Sequence, residues 1–141
     1  ISESLKDYGG SGISEVDFTD TSNVDYLRPR MDVENIYEKT SILLVPSQWE
    51  ETYGRVALEA MSLGIPVLAS KVGGLKDVVG LDELLIEDFQ TPEKWVKEIE
   101  NVVKEENYHT YSERCKEKAE EYSLDEVVDQ YINIFKKAAE N

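Results

Sequence analysis

Two glutamates, Glu51 and Glu59, stand eight positions apart in the run PSQWEETYGRVALEAMSLGIPVLAS, Pro46 to Ser70, with Gly54 between them. A carboxylate accepts hydrogen bonds on both oxygens, so each acid suits the vicinal hydroxyls of a ribose or a sugar ring. On one continuous helix, eight positions are offset by roughly 80°, too far apart for a shared narrow face. Glu51, however, precedes the helix that the pattern predicts over 54–63, and Glu59 lies about one turn inside it. The two acids can therefore address two ends of one ligand. Between them, the amides of Gly54, Arg55 and Val56 are the unpaired donors of a helix amino terminus, where the dipole also favours an anion. Gly54 removes a side chain where a ligand would approach closely. A phosphate on the helix end, with hydroxyl-bearing rings to either side, is the chemistry this spacing allows.

Such a site needs a scaffold that brings its parts to one edge. Ile42–Val45 (ILLV), closed by Pro46, is a continuous apolar run of the kind buried on both faces of a parallel sheet. PVLAS, ending at Ser70, is a second, and ELLI, Glu83–Ile86, is the last. Val24–Leu27 (VDYL) reads as a further short strand, ended by the RPR of positions 28–30, while residues 1–23 are polar and turn-rich. Helical patterns lie between and after these runs. Asp32 is a candidate N-cap for a helix through Lys39, with Val33, Ile36 and Tyr37 on one face. Gly64 stops the helix over 54–63, and LKDVV forms a short helix ending at Gly80. Pro92 starts a helix with Trp95, Ile99, Val102 and Val103 on one face, and YSERCKEKAEEY (Tyr111–Tyr122) follows. A final helix begins near Ser123, with Val127, Val128, Tyr131, Ile132 and Phe135 apolar.

This alternation predicts an α/β protein with a Rossmann-like parallel sheet and flanking helices, in one domain of 141 residues whose closing helices occupy about 92–138. In an open parallel sheet, ligands bind beyond the carboxyl ends of the strands. That rule selects the loops after Leu27, Val45 and Ala69, and the last brings Gly73 and Gly74 to the same edge. Each residue also has a plain structural reading: Glu59 as one surface acid among thirty, Glu51 as an acid on the helix dipole, the glycines as capping and loop residues. Gathered on one edge, they favour a phosphate-ligand domain.

Composition narrows the partners. A formal net charge of −15 repels the nucleic-acid backbone, and no basic stripe with interleaved aromatics offsets it, so nucleic-acid binding is excluded. The same charge disfavours docking on anionic lipid, and no apolar run approaches the roughly 20 residues that span a bilayer. No signal-peptide pattern is present. The single cysteine, Cys115, has no intramolecular partner, which fits a reducing cytoplasm. The single histidine, His109, sits in the polar stretch EENYHTYSE and reads as a surface residue. No metal-ligand spacing is visible. A chain that starts at Ile1 without methionine is expected to be a piece of something longer.

The run PSQWEETYGRVALEAMSLGIPVLASKVGGLKDVVG closely resembles the nucleotide-sugar-binding half of family-4 glycosyltransferases, retaining enzymes of GT-B fold. Pro46, Ser47, Glu51, Tyr53, Gly54, Glu59, Ala60, Met61, Gly64, Pro66, Val67, Gly73 and Gly74 follow the order of that signature. The resemblance implies that Glu59 binds the ribose hydroxyls of a donor nucleotide and that Glu51, the candidate catalytic residue, contacts the transferred sugar. It implies that the amides of Gly54, Arg55 and Val56 hold the sugar and diphosphate, with Ser47, Gly73 and Gly74 at the same site. The loop around Arg30, Met31 and Asp32 would lie near the base. Arg55 stands where the family more often has an apolar residue, and its side chain reaches either the diphosphate or solvent. The implied reaction transfers a sugar from a nucleoside diphosphate sugar to a glycan, lipid or other acceptor, with retention at the anomeric carbon. No metal and no other cofactor are expected, since dipole and basic groups stabilise the leaving diphosphate. Glycogen- or starch-synthase-like and sucrose-phosphate-synthase-like enzymes share the paired glutamates and are the alternatives, beside a non-catalytic nucleotide-sugar-binding module. The implied partners are the donor and an acceptor-binding domain outside this chain, which would also carry any peripheral membrane attachment of a cytoplasmic enzyme. Without that domain, and without the family's earlier basic segment, the chain is expected to bind donor weakly and not to turn over.

Overall fold

The computed structural model describes residues 23–25, 27 and 31–139. Contacts divide the chain into two units, Ile1–Asp32 and Val33–Asn141. In the first, the strand expected over Val24–Leu27 is not formed at Val24, Asp25 or Leu27. A strand exists only through ladder bonds to a neighbour, and none reaches these residues among those described. Tyr26, the RPR breaker and the turn-rich stretch before position 23 lie outside the described residues.

The second unit is built on a parallel sheet of three strands among the described residues, ordered β1 (Leu43–Val45), β2 (Val67–Ser70), β3 (Leu85–Ile86). Leu43 pairs with Val67, Val45 with Ala69, and Ser70 with Ile86. Parallel strands need crossovers, and helices supply them: α2 (Arg55–Ser62) joins β1 to β2, and α3 (Leu75–Val79) joins β2 to β3. β2 is central and all four of its residues are buried, which is why its sequence is apolar without alternation. β1 departs from that expectation. Leu43 and Val45 pack on the core, whereas Leu44 is 40% exposed. β1 has a ladder neighbour on one side only among the described residues, and strand alternation turns Leu44 to the face the core does not cover. The strand expected at Glu83–Ile86 begins only at Leu85. The Leu84 amide donates to the Leu81 carbonyl at 2.9 Å, closing a 3-10 turn over Asp82–Leu84 before the ladder starts.

α1 (Glu34–Tyr37) is shorter than the pattern predicts and has Val33, not Asp32, at its N-cap position. Its end is set by Lys39 and Thr40, whose amides make short-range bonds to the Ile36 and Tyr37 carbonyls, while Thr40 Oγ1 donates to Ile36 O at 2.7 Å. α2 presents Ala57, Ala60 and Met61 to the core at helical spacing. It stops where expected. Gly64 sits at φ 74°, its amide donates to Met61 O, and the Ile65 amide reaches Ala60 O, the paired bonds of a Schellman motif. The Ser112 hydroxyl then donates to Gly64 O at 2.6 Å, tying this turn to α5 (Glu105–Glu120).

α4 (Pro92–Val102) opens with proline in its first turn and buries Trp95 and Val102, with Ile99 partly buried against the same core. Val103 does not share that face: it is the C-cap and is exposed. α5 begins at Glu105, well before Tyr111, and packs on α2, burying Cys115 and Ala119. Burial pushes the Cys115 thiol up from its ordinary pKa. α6 (Leu124–Ala139) starts on a serine cap, since the Glu126 amide donates to Ser123 Oγ. It buries no residue, so Val128, Tyr131, Ile132 and Phe135 form an exposed apolar face rather than part of the core. No helix among the described residues is long and apolar enough to cross a membrane.

Candidate functional site

β1 and β2 end side by side, so the segments that leave them emerge on one edge: 46–54 leading into α2, and 71–74 leading into α3. These two segments are in backbone contact. The Gly74 amide donates to Glu51 O at 2.6 Å. A Cβ on Gly73 would sit 2.5 Å from Glu51 O, and one on Gly74 would sit 2.4 Å from Thr52 O. Gly73 also takes φ 47°. The glycine pair is thus needed for close approach of one loop to the other, and the Gly74 amide is engaged there instead of facing a ligand. The pair lies on the edge that the strand pattern predicts, and the loop it approaches is about 22 residues away in sequence, a contact no local pattern announces.

From the other side, Tyr53 packs edge-on against Tyr122 with ring centroids 6.3 Å apart, and the Tyr122 hydroxyl donates to Asp77 O at 2.9 Å. The loop carrying Glu51 is therefore held at both its middle and its end.

The Ser47 hydroxyl donates to Glu51 Oε1 at 2.8 Å, across one turn of the loop. Glu50 is exposed while Glu51 is half-buried, so of the two neighbouring acids Glu51 is the one held in place. Gly54 follows as the N-cap of α2 in the left-handed region, φ 66°, with no side-chain cap bond. A Cβ there would meet Leu75 Cδ2 at 2.8 Å. The first bond of the helix runs from the Leu58 amide to Gly54 O at 3.2 Å, which leaves the amides of Arg55 and Val56 ahead of the helical ladder. Both residues are exposed. Glu59 lies one turn further along with its side chain 44% exposed. Its Oε1 is 3.5 Å from the Arg55 guanidinium, and its Oε2 accepts the Tyr37 hydroxyl at 3.1 Å. Arg55 is thus turned along the helix toward Glu59, with its own side chain 80% exposed.

Ser47, Glu51, Gly54, Arg55, Val56, Glu59, Gly73 and Gly74 are gathered on one edge of the unit. Met31 belongs to the first unit and is 98% exposed; Arg30 lies outside the described residues. Two residues escaped the sequence reading. Tyr37 was assigned to the apolar face of α1, which its ring occupies, but its hydroxyl reaches Glu59. Burial, then the Glu59 hydrogen bond, raises the phenol pKa and keeps it a proton donor. Lys71 beside the glycine pair is held by Glu87 at 2.9 Å and Asp82 at 3.2 Å, and those bonds raise its pKa. Neither pairing has a local sequence signature. Among the described residues no three or more His, Cys, Asp or Glu side chains gather as a metal site.

At the end of β2 the Ser70 hydroxyl is fully buried without a hydrogen-bond partner among the described residues. An unmade bond of this kind costs roughly 1–3 kcal/mol. Ser70→Ala is therefore expected to keep or raise the melting temperature, and a clear fall in a thermal melt would contradict an unpartnered hydroxyl.

Comparison with known proteins gives the family. The family profile described as "Glycosyl transferases group 1" matches residues 21–122, which include the whole edge just described. Spore coat protein SA of Bacillus subtilis (strain 168) is 27% identical over 120 residues, 81% of this chain and 31% of that protein. A D-inositol 3-phosphate glycosyltransferase of Corynebacterium urealyticum is 30% identical over 118 residues, covering 80% of this chain and 27% of the relative. The lipopolysaccharide 1,2-N-acetylglucosaminetransferase of Salmonella typhimurium is 31% identical over 86 residues, 60% of this chain and 23% of its own. The chain thus spans less than a third of the length of these curated relatives. With its parallel α/β sheet, its edge of held acids and glycines, and a profile match over most of its length, the chain belongs to the group 1 glycosyl transferases.

Proposed function

We propose that this chain is the donor-binding domain of a retaining glycosyltransferase of family 4, taking a nucleoside diphosphate sugar and serving a polysaccharide or other complex glycan. Glu59 accepts the ribose hydroxyls, Glu51 contacts the transferred sugar, and the amides of Gly54, Arg55 and Val56 receive the sugar and diphosphate. The observation that carries this proposal is the pair of hydrogen-bonded acids, Glu51 on Ser47 and Glu59 on Tyr37, on either side of a helix start that no side chain caps. Charge that develops on the departing diphosphate is stabilised by those amides and the dipole of α2, without a divalent metal. The family and the transferase names of the relatives support the reaction class. The remainder of the enzyme supplies the acceptor site, so this chain alone binds donor and does not turn over. The enzyme works in the cytoplasm.

Ligand-observed NMR with UDP, GDP, ADP and their sugar conjugates tests this. Saturation transfer is expected for one base series and not for the free sugars. Silence of the folded chain toward every nucleoside diphosphate would overturn the donor-site assignment.

A further inference from the structure

We infer that Tyr37 is the positioning residue that fixes the Glu59 carboxylate for the ribose hydroxyls of a nucleoside diphosphate. The inference rests on the donor-site proposal for Glu59. Its observations are separate from the motif. Tyr37 lies at the end of α1 and Glu59 within α2, and the hydroxyl-to-carboxylate bond of 3.1 Å spans 22 residues of sequence. The tyrosine ring packs against the hydrophobic core, so its hydroxyl is held by a fixed body. Burial followed by the Glu59 contact raises the phenol pKa, so it remains a donor throughout the physiological range.

A glutamate on a helix surface otherwise has three free torsions, and a ligand must immobilise them on binding. The other contact of Glu59, to Arg55, cannot do this. It lies at 3.5 Å between groups 80% and 44% exposed, where solvent screens the pair. Tyr37 takes one direction on Oε2. Oε1 and the remaining lone pair of Oε2 are left for two vicinal hydroxyls, since a carboxylate offers about four acceptor directions. The phenol thus orders the acid before the nucleotide arrives without using up its acceptor capacity.

The test is the dissociation constant of the Tyr37→Phe chain for UDP, GDP or ADP, whichever the wild-type chain binds, and for the 2′,3′-dideoxy form of the same nucleotide. Removing one immobilised side chain's ordering is expected to weaken the ribonucleotide about 3- to 10-fold. The dideoxynucleotide, which has no hydroxyls for Glu59 to accept, should bind both chains equally. In a Glu59→Ala background, Tyr37→Phe should have no further effect on the ribonucleotide. Equal weakening of both nucleotides would make Tyr37 a structural tie between α1 and α2 and overturn the positioning role. Unchanged ribonucleotide binding in Tyr37→Phe, with Glu59→Ala weakened, would overturn it while the donor site stands. Unchanged binding in Glu59→Ala itself would overturn the ribose role of Glu59, and the positioning role with it.

Discussion

Gly74→Ala is expected to lower the melting temperature by roughly 10 °C and to abolish measurable nucleotide binding. Gly74 has ordinary helical torsions, φ −69° and ψ −13°, so backbone strain is not the cause. The cause is space. A Cβ at this position meets Thr52 O at 2.4 Å, Thr52 C at 2.9 Å and Glu51 O at 3.2 Å, all of them backbone atoms with no rotamer to yield. The loop at 50–52 must move away, breaking the 2.6 Å bond from the Gly74 amide to Glu51 O. Overpacking of this kind costs about 1–3 kcal/mol and the lost bond about 1 more. At roughly 4 °C per kcal/mol for a chain of this size, the sum accounts for the shift. Gly80→Ala is the control. Gly80 is at φ 59°, so alanine there is strained, but its Cβ meets the end of the flexible Lys118 side chain and lies on the turn after α3. Both variants should melt earlier, and only Gly74→Ala should lose the nucleotide. A Gly74→Ala chain that melts with the wild type would contradict the interlocked loops.

What could be foreseen follows a physical division. β2 was readable because an apolar run with a proline before it and a glycine pair after it has few other uses in a parallel sheet, and its burial on both faces agrees. The helix carrying Glu59 was readable because Gly54 and Gly64 punctuate it, both at positive φ. Glu51 and Glu59 are proposed as site residues from spacing along the chain, a local property. The contacts that orient them are partly non-local. Ser47 to Glu51 spans four residues and was within reach, but Tyr37 to Glu59 and the Gly74–Glu51 backbone bond join segments that meet only when the sheet forms. The same limit explains the apolar residues of α6. Periodicity identifies an amphipathic helix, and it does not say whether that face finds a partner within the unit. At Asp82–Leu84 a local turn bond overrode the strand-like composition of ELLI, a competition between two backbone pairings that side-chain pattern cannot rank.

Glu59→Ala separates function from folding most cleanly, because the two costs differ in size. Folding loses little. The side chain is 44% exposed, its contact with Arg55 is a screened surface pair, and alanine is the better helix former. The Tyr37 hydroxyl also loses its partner, at about 1 kcal/mol, and that hydroxyl is part-buried, not sealed from water. The melting temperature should therefore move by no more than a few degrees. Under the donor-site proposal, binding should lose far more. Two ribose hydroxyls donating to a carboxylate make hydrogen bonds to a charged group, each contributing about 1.5–3 kcal/mol. The two together come to about 3–6 kcal/mol, so deleting the acid should weaken the bound nucleoside diphosphate by at least about 100-fold, each 1.4 kcal/mol being tenfold in affinity. Glu59→Gln keeps the shape and one acceptor oxygen but not the charge, and should fall between, near 10-fold. Isothermal titration with the nucleotide that the wild-type chain binds would resolve all three. An order of affinity from wild type through glutamine to alanine, at nearly constant melting temperature, identifies Glu59 as a ligand contact. If alanine binds as tightly as glutamate, then Glu59 is one surface acid among thirty, and the ribose must be held elsewhere on the edge.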